Sequence, residues 1–267
     1  MKHGLLIFAV LCGLAASGAA QTTEMSSRRT FTVGNVTFTM IGVQGGTFNM
    51  GCSDEYDMDC PKNEKKHKVT LSDYMIGETE VTQELWNAVM DHNPSEWKGE
   101  NLPVENVSWI DCHEFIKKLN AMIGYNDNHG FSLPTEAEWE YASRGGRESK
   151  GYEYSGSDIV GTVAWYSGDD INRPHIIRGK RANELGIYDM SGNVQEWCDD
   201  YYYDYTTESQ INPKFPTPEK NVMHSIVVRG GCYGSRPYEC RVSCRGEQVM
   251  YADDRADNTG FRLAFHP

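Results

Sequence analysis

Long apolar runs are what this 267-residue chain has least of. The only marked one, Leu5 to Leu14, covers 10 residues, about half of what a helix needs to cross a bilayer. No membrane-spanning segment is therefore expected. Basic residues are also scarce: 25 Lys and Arg stand against 38 Asp and Glu, for a formal net charge of -13. Such a surface repels phosphate backbones and anionic lipid, which excludes nucleic acid as an expected partner. The eight histidines show no HxxxH or HExxH spacing, so nothing points to a zinc hydrolase. There is no GxSxG elbow and no phosphate-binding loop, and no repeat of fixed period, coiled-coil heptad or linker divides the chain.

What is present suits one loop-rich domain: 39% hydrophobic residues, 26 Gly and 15 Tyr. Lys2 and His3, the apolar run and Ala16-Ser17-Gly18-Ala19-Ala20 read as a secretory signal over residues 1–20. The expected location is extracytoplasmic, secreted or periplasmic. Leu11-Cys12 as a lipoprotein site is disfavoured, because cleavage there leaves a very short apolar segment. Residues 21–30 read as a flexible leader and 31–267 as the domain. Loss of Cys12 leaves seven cysteines in an oxidising compartment, an odd number that keeps at least one thiol out of intramolecular bridges. A local Cys52–Cys60 bridge, Cys232 with Cys240, and Cys198 with Cys232 all stand open, and Cys112 reads as a buried small hydrophobe.

Alternating β-branched and aromatic residues predict strands at 31–33, 36–43, 48–51 and 69–76. A helix is expected after Thr82, carrying Leu85, Trp86 and Val89 inward. A second begins at Ser108, with Asp111 completing a capping box before Cys112, Phe115, Ile116 and Leu119. A third begins at Thr135 with Glu138 and is stopped by Gly145-Gly146. Beyond Gly151 turns and short strands are expected.

Four segments carry a resemblance. They are Ile76-Gly77 with Glu80-Val81-Thr82 and Trp86; Leu133 to Gly146, containing Pro-Thr-Glu-Ala-Glu-Trp-Glu-Tyr-Ala; Asn183 to Trp197, containing Asp189-Met-Ser-Gly-Asn-Val-Gln-Glu196; and Arg229-Gly-Gly231 with Gly260-Phe-Arg262. In this order, from about residue 37 to the end, the chain resembles the sulfatase-modifying factor family, best known for formylglycine-generating enzymes. The resemblance implies an α+β, irregular, loop-rich, C-type-lectin-like domain. It also implies a structural calcium held by the side chains of Asp189 and Glu196 and the carbonyls of Gly192 and Val194. Mixed carboxylate and carbonyl oxygens are what calcium takes; the same turn read without a metal is a hydrogen-bond network.

The enzymes of this family hold Cu(I) with a C-x4-C pair shortly after Arg-Gly-Gly and oxidise a substrate cysteine to formylglycine. Thiolates are the soft ligands that select Cu(I). Counted from the turn, Ser235 falls where the first copper cysteine belongs and Cys240 where the second does; Cys232 replaces a serine. Asn258 matches an active-site asparagine, and Gln195 stands where a tryptophan is usual. The candidate catalytic residues are thus Cys232, Cys240 and Asn258. Two readings follow. One is a non-copper binding or accessory protein that presents the Tyr201–Tyr205 run and the Tyr233–Glu239 loop to a protein, peptide or glycan. The other is a copper oxidase acting on a sulfatase Cys or Ser.

Overall fold

The structure, a computed structural model, describes residues 27–52, 62–125, 129–169, 172–215, 224–246 and 250–267. The expected signal segment 1–20 and Cys60 lie outside the described residues. Strand β1 (Arg28–Val33) pairs along its whole length with β2 (Val36–Val43), from Arg28 opposite Ile41 to Val33 opposite Val36. Arg28, Arg29 and Thr30 are thus strand rather than leader. Arg29 explains part of this, because its guanidinium lies 4.5 Å from the Phe31 ring centre and donates to the Tyr125 hydroxyl.

Strands β3 (Gly46–Met50), β4 (His67–Leu71) and β5 (Tyr74–Gly77) follow. The single strand expected over 69–76 is broken in two. Asp73 accepts the Gly45 N–H, and the Ser72 N–H donates to Asn212, so neither residue serves a ladder there. The halves enter different sheets. Next come α1 (Gln83–Val89), α2 (Trp109–Ile123), β6 (Gly130–Ser132), α3 (Glu136–Ser143) and the one-turn α4 (Val160–Val163). The chain ends with β7 (Gln195–Tyr201), β8 (Gln210–Ile211), β9 (Ile226–Arg229), β10 (Thr259–Gly260) and β11 (Ala264–His266). The caps are those read from sequence: Thr82 accepts from Leu85 N–H, and Ser108/Asp111 and Thr135/Glu138 close capping boxes.

Five strands in the order β1-β2-β5-β11-β6 form an antiparallel sheet whose inner strand β5 is buried on both faces. Successive side chains of a strand point to opposite faces, so Met40 and Met75 join one core and Ile41 and Ile76 the other. The first core stacks Trp86 of α1 on Phe115 of α2 beneath Phe31, Phe131 and Phe265. The second packs Trp139 and Tyr141 of α3 against Val43, Ile187, Cys198 and Val227. A small sheet, β10-β7-β9, holds the functional segments together: Gly260 lies opposite Glu196, and Glu196 opposite Arg229.

Candidate functional site

The glycine turn after β9 is fixed by a fully buried arginine. Arg229 pairs with Glu140 of α3 and donates to the carbonyls of Val242, Ser243 and Cys244. One side chain thereby ties the cysteine-rich segment to a helix. Arg245 makes two hydrogen bonds to Glu136, at 2.7 and 2.9 Å, and Arg262 makes two to Glu196, both 2.6 Å. Against burial, Glu136 holds the Arg245 pKa and Glu196 the Arg262 pKa above the ordinary arginine value, and Tyr205, then Glu140 and Glu136, do the same for Arg229. Buried charges persist only when matched in this way.

Past Arg229, Gly231 has a φ of +68°, and a Cβ there would stand 2.9 Å from Glu239 O and 3.0 Å from Cys240 Sγ. The turn therefore needs glycine, and it presses Cys240 into the interior, where it is fully buried. Burial, then the neighbouring Cys232 and Cys244, push the Cys240 thiol up, so it stays protonated. Cys232 lines a cavity of about 440 Å³. Its Sγ lies 3.5 Å from Ser235 Oγ and 3.6 Å from Asn258 Nδ2, and its N–H donates to Ser235 Oγ at 3.1 Å. Of the candidate residues, Cys232 and Asn258 are brought together at this cavity. Cys240 lies behind the turn and does not line it. Cys244, Ser235, Gln195, Asn172, Tyr233, Glu239 and Asp257 complete the reactive and polar lining.

Cys112, Cys198, Cys232, Cys240 and Cys244 all keep their thiols, so neither Cys232–Cys240 nor Cys198–Cys232 is bridged. Cys198 sits in the second core and Cys112 in the first. Cys240 ends a 3-10 turn over Pro237–Cys240, and beyond it Cys244 N–H donates to Arg241 O, so residues 241–244 form neither strand nor helix.

The C-x4-C positions do not fit a copper pair. Ser235 offers a hard hydroxyl where a soft thiolate is required, and Cys232 and Cys240 do not face one open space. Among the described residues no three His, Cys, Asp or Glu side chains converge as a metal cluster.

The turn before β7 is where the resemblance implies calcium. A Cβ at Gly192 (φ +78°) would stand 2.1 Å from Trp165 O, so this turn too requires glycine. Glu196 accepts from Arg262 at both oxygens and from Trp139 at one. Three of its roughly four acceptor sites are thus in use. Asp189 Oδ2 accepts the Arg178 N–H at 2.8 Å. Glu80, which sequence reasoning missed, reaches the same turn. Its Oε1 accepts from Asn193 Nδ2 at 3.0 Å, while its Oε2 is buried with no hydrogen-bond partner. Burial, then Asp189 and Glu196, drive the Glu80 pKa up, and burial raises Asp189 to about 6. Glu80, Asp189 and Glu196 act on one another and on Arg262, but they do not converge as a three-ligand metal cluster. The only sequence signal for Glu80 was its place in the Glu80-Val81-Thr82 segment; its partner lies 113 residues away.

The Tyr201–Tyr205 run is mainly packing. Tyr205 is buried and donates to Glu136 Oε1, Tyr202 lies under the Arg245 guanidinium, and Tyr201 packs against the first core. A second hollow of about 430 Å³ lies beside β6 and the start of α3, lined in part by Lys214, Asp199, Glu138 and His266.

Residues 28–267 match the family model described as a sulfatase-modifying factor enzyme 1-like domain. The chain belongs to the sulfatase-modifying factor family. It is 38% identical over 239 residues to the chaperone protein LppX of Paenibacillus barcinonensis, covering 72% of this chain and 78% of LppX. The formylglycine-generating enzyme of Streptomyces coelicolor is 30% identical over 182 residues, 61% of this chain and 52% of the enzyme. Among solved structures, Treponema denticola variable protein 1 superposes with a TM-score of 0.79 at 32% identity, covering 91% of this chain and 100% of that one. PvdO from Pseudomonas aeruginosa gives 0.72 at 23% identity, covering 90% and 98%, a likeness of fold alone. The sulfatase-modifying factor fold, α+β and C-type-lectin-like, is thus the one the four segments implied. No helix among the described residues is long and apolar enough to cross a membrane.

Proposed function

We propose that this chain is an exported, non-copper member of the family that works by binding a protein or peptide, with a glycan as the further ligand class. The observation that carries this reading is the serine in the copper position. Ser235 Oγ lies 3.5 Å from Cys232 Sγ, and Cys240 is fully buried behind the turn. The cavity beside Cys232 is rich in amides and carboxylates, a lining made for recognition. The name of LppX supports an accessory role, and the signal-like residues 1–20 support export.

Calcium, in this reading, sits at Asp189, Gly192, Val194 and Glu196, with Glu80 as an added carboxylate. When bound, it supplies charge neutralisation and holds the turn. The chain's own residues carry the recognition: Asn258 and Ser235 fix the Cys232 thiol, and Gln195 and Asn172 offer amide donors and acceptors at the cavity.

One contact favours the oxidase reading: Asn258 Nδ2 reaches a cysteine sulfur, Cys232 Sγ, at 3.6 Å. The deciding experiment loads the mature protein with Cu(I) and measures oxidation of a Cys-x-Pro-x-Arg peptide. No turnover is expected. Turnover that disappears in Cys240→Ser or Cys232→Ser would overturn the binding reading.

A further inference from the structure

The hollow of about 430 Å³ beside β6 has no part in the binding reading, and three of its lining residues touch in series. Ser132 closes β6 opposite Ala264 of β11, and His266 stands two residues further along β11. Both side chains therefore share one face of the sheet as diagonal neighbours. Ser132 Oγ lies 3.5 Å from His266 Nδ1, and His266 Nε2 lies 2.8 Å from Glu138 Oε1. Glu138 is itself held, because its Oε2 accepts the Thr135 N–H at 2.8 Å in the capping box of α3. A carboxylate only accepts, so Nε2 carries the ring proton, and the neutral ring turns the Nδ1 lone pair to the Ser132 hydroxyl. No sequence motif announces this series of contacts, since its members come from three elements; such constellations are recognised by geometry.

The rest of the lining says what that hydroxyl would meet. Leu71, Phe131 and Leu133 are apolar, Thr135 and Asn212 are polar, and Lys214 brings a positive charge held by Asp199 at 2.6 Å. A space of this size suits a small molecule, and its mixed walls suit a short acyl group esterified to a polar alcohol. The charges acting on the His266 ring are those of Glu138 in α3, Asp199 in β7 and Lys214, and Asp73 and His129 line the same hollow. The hydrogen bond to Glu138 holds the His266 pKa above its ordinary value against burial.

We propose that this hollow is a second site, which hydrolyses short-chain carboxylic esters with Ser132 as nucleophile, His266 as general base and Glu138 as the positioning residue. His266 Nδ1 takes the hydroxyl proton as Ser132 Oγ bonds the ester carbonyl carbon, and Lys214 offsets the charge growing on the carbonyl oxygen. The ester C–O bond breaks, and the alcohol leaves with the proton from Nδ1. Water then attacks the acyl-serine by the same route, releasing the carboxylic acid and restoring the hydroxyl. The test treats the full mature chain with a fluorophosphonate, locates the adduct by peptide mass spectrometry, and follows p-nitrophenyl acetate hydrolysis against pH. The adduct is expected on Ser132. The rate is expected to rise with pH through the elevated His266 value, since only the neutral ring accepts a proton. Ser132→Ala should lose both the adduct and the hydrolysis, and His266→Gln should lower kcat/KM about a hundred-fold. Glu138→Gln should move the pH profile to lower pH, a shift that a purely structural role for Glu138 does not produce. The adduct is read on the native chain, so a variant that fails to fold does not remove the test. No adduct on Ser132, or hydrolysis unchanged in both Ser132→Ala and His266→Gln, overturns the site. Either result leaves the binding reading of the Cys232 cavity as it stands.

Discussion

Arg229 shows how much a single side chain decides here. It spans Glu140 of α3 and three carbonyls of the cysteine segment with no exposure to water. Arg229→Met leaves Glu140 buried with its remaining partners, the Gly51 N–H and Arg144. Breaking a buried pair by removing one member costs about 3–5 kcal/mol. Urea unfolding of the variant should show a loss of that size, and the Arg229→Met, Glu140→Gln double variant should lose less than the two single changes added. A cost below about 1 kcal/mol in the single variant would mean the pair does not hold the turn. Residues of this kind were only half legible beforehand. Arg229-Gly230-Gly231 marked a turn, but the identity of its partner depends on α3, 89 residues away. Glu80 was still less visible, because an unpaired buried oxygen has no one-dimensional signature.

Elements with local causes were read well, and those set by distant partners were not. Ser108/Asp111 and Thr135/Glu138 are three residues apart, so their capping boxes can be seen in sequence. The break at Ser72-Asp73 cannot, since Asn212 and Gly45 produce it. The start of α3 makes a pH-dependent join with β11. Glu138 Oε2 caps Thr135 N–H while Oε1 meets His266 Nε2 at 2.8 Å. The hydrogen bond to Glu138 raises the His266 pKa above its ordinary value of 6.5 against the opposing effect of burial. A raised histidine pKa stabilises the fold only while the ring is protonated. The contribution is fully present below about pH 6.5 and is lost as pH rises through the elevated folded value. Melting temperatures of the native protein and His266→Gln should therefore differ most in mild acid and converge at alkaline pH. A gap that widens with rising pH would contradict the pairing.

At the scale of the whole molecule, short elements and long loops leave stability dependent on whatever binds only the folded form. Calcium at the Asp189–Glu196 turn would act in this way: free ion at 100 times its dissociation constant adds about 2.7 kcal/mol. Added Ca2+ should raise the melting temperature, a chelator should lower it, and Asp189→Asn should blunt the response. A melting temperature indifferent to both additions would remove the metal from the turn. The family and its fold were legible because four segments kept their order; the thiol arrangement was not, because spacing alone could not say that the Gly231 turn hides Cys240 while Cys232 lines the cavity.

The strand order β1-β2-β5-β11-β6 has a kinetic consequence. β11 lies inside the five-stranded sheet, with Ala264 opposite both Ile76 and Ser132. The sheet's middle is thus completed by residues nearly 190 positions downstream of β5. Contacts so distant in sequence make loop closure slow. Until β11 pairs, the edge of β5 that it covers and the apolar faces beside it stay open to solvent.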